Sequence, residues 1–162
     1  MMGVDPGTGT GAAWCVCGAT GTISTRMGQP PLPPQSVCLR GNYVHQADQL
    51  CRVLQGLKRT ATKYGSDIKV IVAIEDFILT RLESSEREGL DPVRVTSAFI
   101  TAMEERGLDR NVKIVYQTPA NAKSYATNDR LRHWGVWKRG AEEHERDAMR
   151  HMLLAITTSP RR

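Results

Sequence analysis

The run Ile68-Lys69-Val70-Ile71-Val72-Ala73-Ile74, closed by Glu75-Asp76, decides the fold class. It is a block of β-branched and apolar residues, the composition of a strand buried on both faces. Such strands lie in the middle of a sheet that is at least partly parallel. A carboxylate ends the block. A lone buried carboxylate is costly, so Glu75 is paired, hydrogen-bonded, metal-bound or placed at the sheet's solvent edge. Successive strand residues face opposite sides, so only one of Glu75 and Asp76 can join a given cluster.

Working outward toward the N-terminus, Ala47, Leu50, Cys51, Leu54 and Leu57 recur at helical spacing. They predict a helix from near Tyr43 to Tyr64, stopped by Gly65. Val37 to Arg40 is expected as an edge strand. Gln29 to Pro34 is proline-rich and is expected as a surface loop, because proline lacks a ladder donor. Thr22 to Met27 is a further candidate strand after the turn Gly18 to Gly21. Met1 to Val4 and Ala12 to Cys17 are short apolar strands around the turn Asp5-Pro6-Gly7-Thr8-Gly9-Thr10-Gly11.

Toward the C-terminus, Asp91-Pro92 predicts a helix start with Asp91 as N-cap and Pro92 first in the helix. Val95, Ala98, Phe99, Ala102 and Met103 mark its apolar face, and Gly107 ends it. Val112 to Gln117 is expected as another buried strand and Pro119 to Ala126 as a short helix. Asn128 to Gly140 is expected as a polar, basic loop, and Ala141 to Thr157 as the closing helix. Early strands followed by β–α alternation predict an α/β domain with a mixed sheet. At 162 residues, residues 1–162 are expected to form a single domain.

The chain carries a formal charge of +5 and a pI near 9.2, which favours a polyanionic partner. No stretch approaches the roughly 20 apolar residues of a membrane helix. The first residues have neither a basic segment nor a long apolar one, so no signal peptide and no membrane partner are expected, and the expected location is cytoplasmic. Cys15, Cys17, Cys38 and Cys51 lack the paired C-x-x-C spacing of zinc sites and are expected as reduced, small apolar side chains.

Acids occur at the ends of predicted elements. Asp5 ends the first strand, Glu75 the buried one, and Asp147 lies early in the last helix. His144 stands three residues before Asp147, on the same helix face. Taken singly, each has an ordinary explanation. Asp5 suits a turn in Asp-Pro-Gly, Glu75 a sheet edge, Asp147 a solvated helix and His144 an exposed helix position. Brought together, carboxylates repel one another, and a hard divalent cation with oxygen ligands removes that penalty.

Gly3-Val4-Asp5-Pro6-Gly7-Thr8 resembles the first-strand motif of RuvC-type Holliday-junction resolvases. Ala73-Ile74-Glu75 resembles their second acidic strand, and His144-Glu145-Arg146-Asp147-Ala148 their C-terminal helix. The match spans the chain in order and spacing. The resemblance implies an RNase H-like fold, a mixed five-stranded sheet flanked by helices, and a homodimer acting on branched DNA in a bacterial or phage-infected cell. It implies a metal-dependent endonuclease with Asp5, Glu75, His144 and Asp147 as catalytic and metal-binding residues. Two Mg²⁺ or Mn²⁺ ions about 4 Å apart would be held there, with Asp5 bridging them. Products would carry 5′-phosphate and 3′-hydroxyl ends. His144 replaces the Asp of some relatives. It would ligate a metal or handle protons, with Glu143 and Glu145 as nearby alternatives.

Lys123, Tyr125, Arg130, Arg132, His133, Trp134, Trp137, Lys138 and Arg139 crowd into the stretch before the acidic helix. Cations neutralise phosphates and aromatics stack on unpaired bases, so Lys123, Arg130, Arg132, Lys138 and Arg139 are candidate DNA contacts. The resemblance sets Lys123 near the scissile phosphate. A solvated loop with one tryptophan docked on the core explains the same composition. Arg81 and Arg87, in the charged stretch Thr80 to Gly89, are further candidates. Rival functions are a flap, fork or RNA-processing nuclease on the same fold and a catalytically inactive DNA-binding module. An actin-like ATPase fits poorly: the glycine-rich turn suits phosphate, but such proteins need two lobes and this chain has room for one.

Overall fold

The computed structural model describes residues 1–16, 34–63, 69–77 and 90–158. The candidate strand Thr22 to Met27, the loop bearing Arg81 and Arg87, and Cys17 lie outside the described residues. Five strands form one mixed sheet: β1 (Met2–Asp5), β2 (Thr10–Trp14), β3 (Gln35–Leu39), β4 (Val70–Glu75) and β5 (Val112–Gln117), in spatial order β3-β2-β1-β4-β5. β1 pairs antiparallel with β2 and parallel with β4, and β4 pairs parallel with β5. The parallel register sets Val4 against Ile74. Asp5 and Glu75 therefore follow side by side at the same end of the sheet.

Period-two alternation divides the sheet into two faces. Met2, Val4, Val72 and Ile74 face helices α1 (Tyr43–Thr62) and α2 (Asp91–Glu105), where Leu50, Leu54, Val95 and Phe99 complete the larger core. Ala13 and Cys15 face helix α5 (Glu143–Thr158), packed with Ala148, Met149 and Met152. The burial of Cys15 and Cys51 agrees with their expected apolar role.

Asn42 caps α1 by accepting from the His45 amide at 2.9 Å. Asp91 and Pro92 fall one place later than expected: Leu90 occupies the cap position, and Asp91 supplies the acid of the first turn. Gly107 follows α2 with φ of +60°, the left-handed conformation that suits a helix end.

β5 differs from expectation. Among the described residues it is an edge strand, and Tyr116 on it is 54% exposed. Its apolar composition matches that of β4, but only β4 has neighbours on both sides. The stretch Asn128 to Gly140 also differs, because it begins with a helical turn. Helix α3 (Pro119–Tyr125) is followed by α4 (Asn128–His133). Thr127 caps α4 by accepting from the Arg130 amide at 3.3 Å, and Leu131 anchors it in the core. A single buried leucine among charges gives no apolar periodicity, so capping and one anchor outweighed the loop-like composition. No helix among the described residues is long and apolar enough to cross a membrane.

Candidate metal centre

Asp5, Glu75 and Asp147 come from β1, β4 and α5, and a ligand oxygen from each lies within 4.8 Å of the others. Glycines permit this convergence. A Cβ on Gly3 would lie 2.1 Å from the carbonyl oxygen of Ala148, and one on Gly11 would lie 1.8 Å from that of His144. Any side chain at either position would push α5 off the sheet and carry Asp147 away from Asp5. Two glycines of the first hairpin thus set the depth of the site.

The turn between β1 and β2 is held from below by Gln46 of α1, which is buried. Its side-chain amide donates to the carbonyls of Thr8 at 3.1 Å and Gly41 at 2.7 Å. Its carbonyl accepts from the Thr10 hydroxyl. The Gly7 amide in turn donates to the Thr10 hydroxyl at 3.3 Å.

Asp5 is 5% exposed, and its pKa is pushed up to about 6. Burial is the largest cause and the Glu75 charge the next. The hydrogen bond and charge of His144 offset part of this, and Asp147 adds a smaller push upward. His144 Nδ1 lies 2.8 Å from Asp5 Oδ2 and donates to it. The ring also lies against Gly7 and Gly9 of the turn. His144 therefore meets Asp5 directly and stands outside the group of three carboxylates.

Asp147 is the acid with strong cations. Arg150 donates to it from within the fold, and Lys123 Nζ stands 3.0 Å away. Arg150 also donates to the Ala126 carbonyl at 3.0 Å and to the Asn128 side chain, which ties the start of α4 to the site. Glu75 accepts from His151 Nε2 at 2.9 Å, and His151 Nδ1 lies 3.1 Å from Gln117 Oε1. Among the described residues no lysine or arginine is bonded to Asp5 or Glu75. The donor set is all oxygen, partly desolvated and short of positive charge on two of its three members. That is the chemistry that Mg²⁺ or Mn²⁺ fits. Asp76, facing the other way from Glu75, lines an open cleft of about 530 Å³ with Tyr116 and Tyr125.

The basic segment divides in use. Lys123 belongs to the acid cluster. Arg130 and Arg139 are exposed, although Arg130 also donates to the Tyr125 carbonyl at 2.6 Å. Arg132 pairs with Asp129 at 2.8 Å and stacks 4.5 Å from the centre of the Trp137 ring. Lys138, also exposed, pairs with Glu145 at 2.9 Å. Trp137 packs against the smaller core, whereas Trp134 is 41% exposed beside Tyr125.

Arg150, His151 and Gln46 bond to Asp147, Glu75 and the β1–β2 turn, and periodicity misses them because it searches for apolar residues. The signal was present: His144, Asp147 and His151 are spaced three and four apart, so one helix face carries all three.

No family model and no curated protein matches the chain. Solved structures similar to it include two of T. thermophilus RuvC. Thermus thermophilus RuvC in complex with a Holliday junction substrate aligns with a TM-score of 0.59 and 18% identity, over 94% of this chain and 88% of that one. A second T. thermophilus RuvC structure aligns with a TM-score of 0.53 and 17% identity, over 94% of this chain and 90% of that one. The chain thus has the RuvC, RNase H-like fold, as the sequence motifs implied.

Proposed function

We propose that this chain is a divalent-metal-dependent endonuclease that cuts branched DNA such as Holliday junctions, working as a homodimer. The observation that carries this is the convergence of three carboxylates from β1, β4 and α5, with Asp5 left undercompensated. A purely structural cluster would be expected to pair each acid with a cation. Here both strong cations stand on Asp147.

Asp5, Glu75 and Asp147 would hold two Mg²⁺ or Mn²⁺ ions. When bound, such ions supply an activated water and charge stabilisation for in-line hydrolysis of a phosphodiester, leaving 5′-phosphate ends. The chain's residues supply the remainder. Asp5 is oriented by His144, and Glu75 by His151. Lys123, half exposed at the rim, can leave Asp147 to meet a phosphate when a cation takes its place. His144, with Nδ1 donating to Asp5, has Nε2 as the nitrogen left for a proton or a metal. Exposed Arg130 and Arg139 would contact the DNA backbone, and Trp134 offers a face to an unpaired base. A RuvC structure similar in fold is in complex with a Holliday junction substrate, which supports branched DNA as the substrate class.

The test is cleavage of end-labelled four-way junctions, forks, flaps, linear duplex and RNA/DNA hybrids in Mg²⁺ or Mn²⁺. Junction cutting that vanishes with EDTA is expected. Preferential cutting of flaps or hybrids would reassign the substrate, and no cutting of any substrate would make the chain a binding module.

A further inference from the structure

His151 is fully buried in the middle of α5, with both ring nitrogens engaged. A carboxylate only accepts, so Nε2 donates to Glu75. If the ring is neutral, Nδ1 accepts and the Gln117 amide presents its NH₂ group. If the ring is charged, Nδ1 donates to the amide oxygen. Either state leaves a proton between Nε2 and Glu75. On this face of the helix His151 stands between Ala148 and Ala155, small and buried, with the site acid Asp147 one turn before it. A histidine among them has a polar ring to satisfy that a leucine lacks. Its place is explained by what its two bonds do: they join the acid of β4 to β5 and α5 at one point.

We infer that His151 is a positioning residue that fixes the rotation of the Glu75 carboxylate for cation binding, with Gln117 holding the ring from behind. This rests on the metal-centre assignment above. Holding one carboxylate oxygen sets the direction of the remaining lone pairs before a cation arrives. Partners of this kind, once lost, typically weaken metal binding about 10- to 100-fold.

The experiment titrates Mn²⁺ into the purified full chain by calorimetry and by electron paramagnetic resonance, with thermal unfolding in EDTA measured beside it. His151→Gln keeps an amide donor that can reach the Nε2 position. His151→Asn keeps one only near Nδ1, bonding Gln117 but not Glu75. The expected result is Mn²⁺ affinity near wild type for His151→Gln and about 10- to 100-fold weaker for His151→Asn. Gln117→Leu, which removes only the outer bond, is expected to weaken Mn²⁺ binding relative to wild type, though less than His151→Asn, and an affinity equal to wild type would count against the inference. It serves as the deciding variant if His151→Asn does not fold. A structural role alone would lower the unfolding temperature of both His151 variants and leave the Mn²⁺ affinity of the folded protein unchanged, which would overturn the inference while the metal centre stands. A wild-type chain whose Mn²⁺ uptake is absent, or is untouched by Asp5→Asn, would remove the metal centre itself and the inference with it.

Discussion

Asp5 and Glu145 are buried to nearly the same degree, 5% and 6% exposed, yet the fold treats them in opposite ways. Both lose solvation, which pushes a carboxyl pKa upward. At Glu145 that push is outweighed. Lys138 donates at 2.9 Å, the Glu142 amide at 3.1 Å and the Ser36 hydroxyl at 3.1 Å, and the pKa ends below the ordinary value. At Asp5 burial is the largest cause, the Glu75 charge adds to it, and His144, the one hydrogen-bonded side chain among the described residues, offsets only part, so the pKa ends near 6. One carboxylate is finished by the protein and belongs to its architecture. The other is unfinished, and a cation is the partner that would complete it. Buried acids therefore identify a site by what they lack.

The largest expected difference is in cleavage. Asp5→Asn should reduce junction cutting about 10²- to 10³-fold or more, since a bound cation contributes several kcal/mol to the transition state. DNA binding should survive. Glu145→Gln should leave the cutting rate of the folded protein near wild type. Equal losses in both variants, measured as single-turnover rates, would erase the distinction.

Stability should move in opposite directions. In EDTA at neutral pH, Asp5→Asn should stabilise the fold by about 1–3 kcal/mol, because it removes a charge that folding disfavours. Glu145→Gln should destabilise it by about 1–3 kcal/mol, because Lys138 and the Glu142 amide lose a charged partner. Urea unfolding of both variants would check the two signs.

The pH dependence follows from the same shifts. Asp5 has a folded pKa of about 6 against an ordinary 3.8, so between those values the folded chain holds a proton that the unfolded chain lacks. The penalty is therefore full above pH 6 and is relieved as pH falls toward 4, and the metal-free protein should gain stability from Asp5 across that range. Glu145, with a lowered folded pKa, contributes stability above its ordinary 4.5, lost as pH falls through the folded value. Unfolding midpoints in EDTA from pH 7 to 5 should rise less in Asp5→Asn than in wild type. Parallel curves would mean that Asp5 is already charged and paired.

The smallest effect concerns the basic segment. Arg130→Ala with Arg139→Ala should flatten the salt dependence of junction binding by about 1–2 in the log–log slope, at roughly 0.9 per phosphate contact. Lys138→Ala should leave that slope unchanged and lower stability, as befits a partner of Glu145.

Much of this was legible in the sequence. The apolar block before Glu75 specified a strand covered on both faces, and the spacing of His144 and Asp147 put both on one side of α5. The motif around Asp5 carried the fold as well. Gly3 read as part of a short strand and Gly11 as a turn residue, whereas both act through contact with a helix more than a hundred residues away, which no local pattern encodes. β5 and β4 look alike in composition, and only the sheet order makes one an edge. Glu145 was legible as an alternative ligand, but its pairing with Lys138, a residue read as a DNA contact, was not legible. A lysine's charge is visible in the sequence, and the acid that claims it is decided by packing.

The most direct measurement of the central claim is anomalous diffraction from a crystal of the chain soaked in Mn²⁺. A strong peak bonded to oxygens of Asp5, Glu75 and Asp147, with Lys123 displaced from Asp147, is the expected result. Three carboxylates still bonded only to histidine, lysine and arginine, with no peak between them at saturating Mn²⁺, would contradict it.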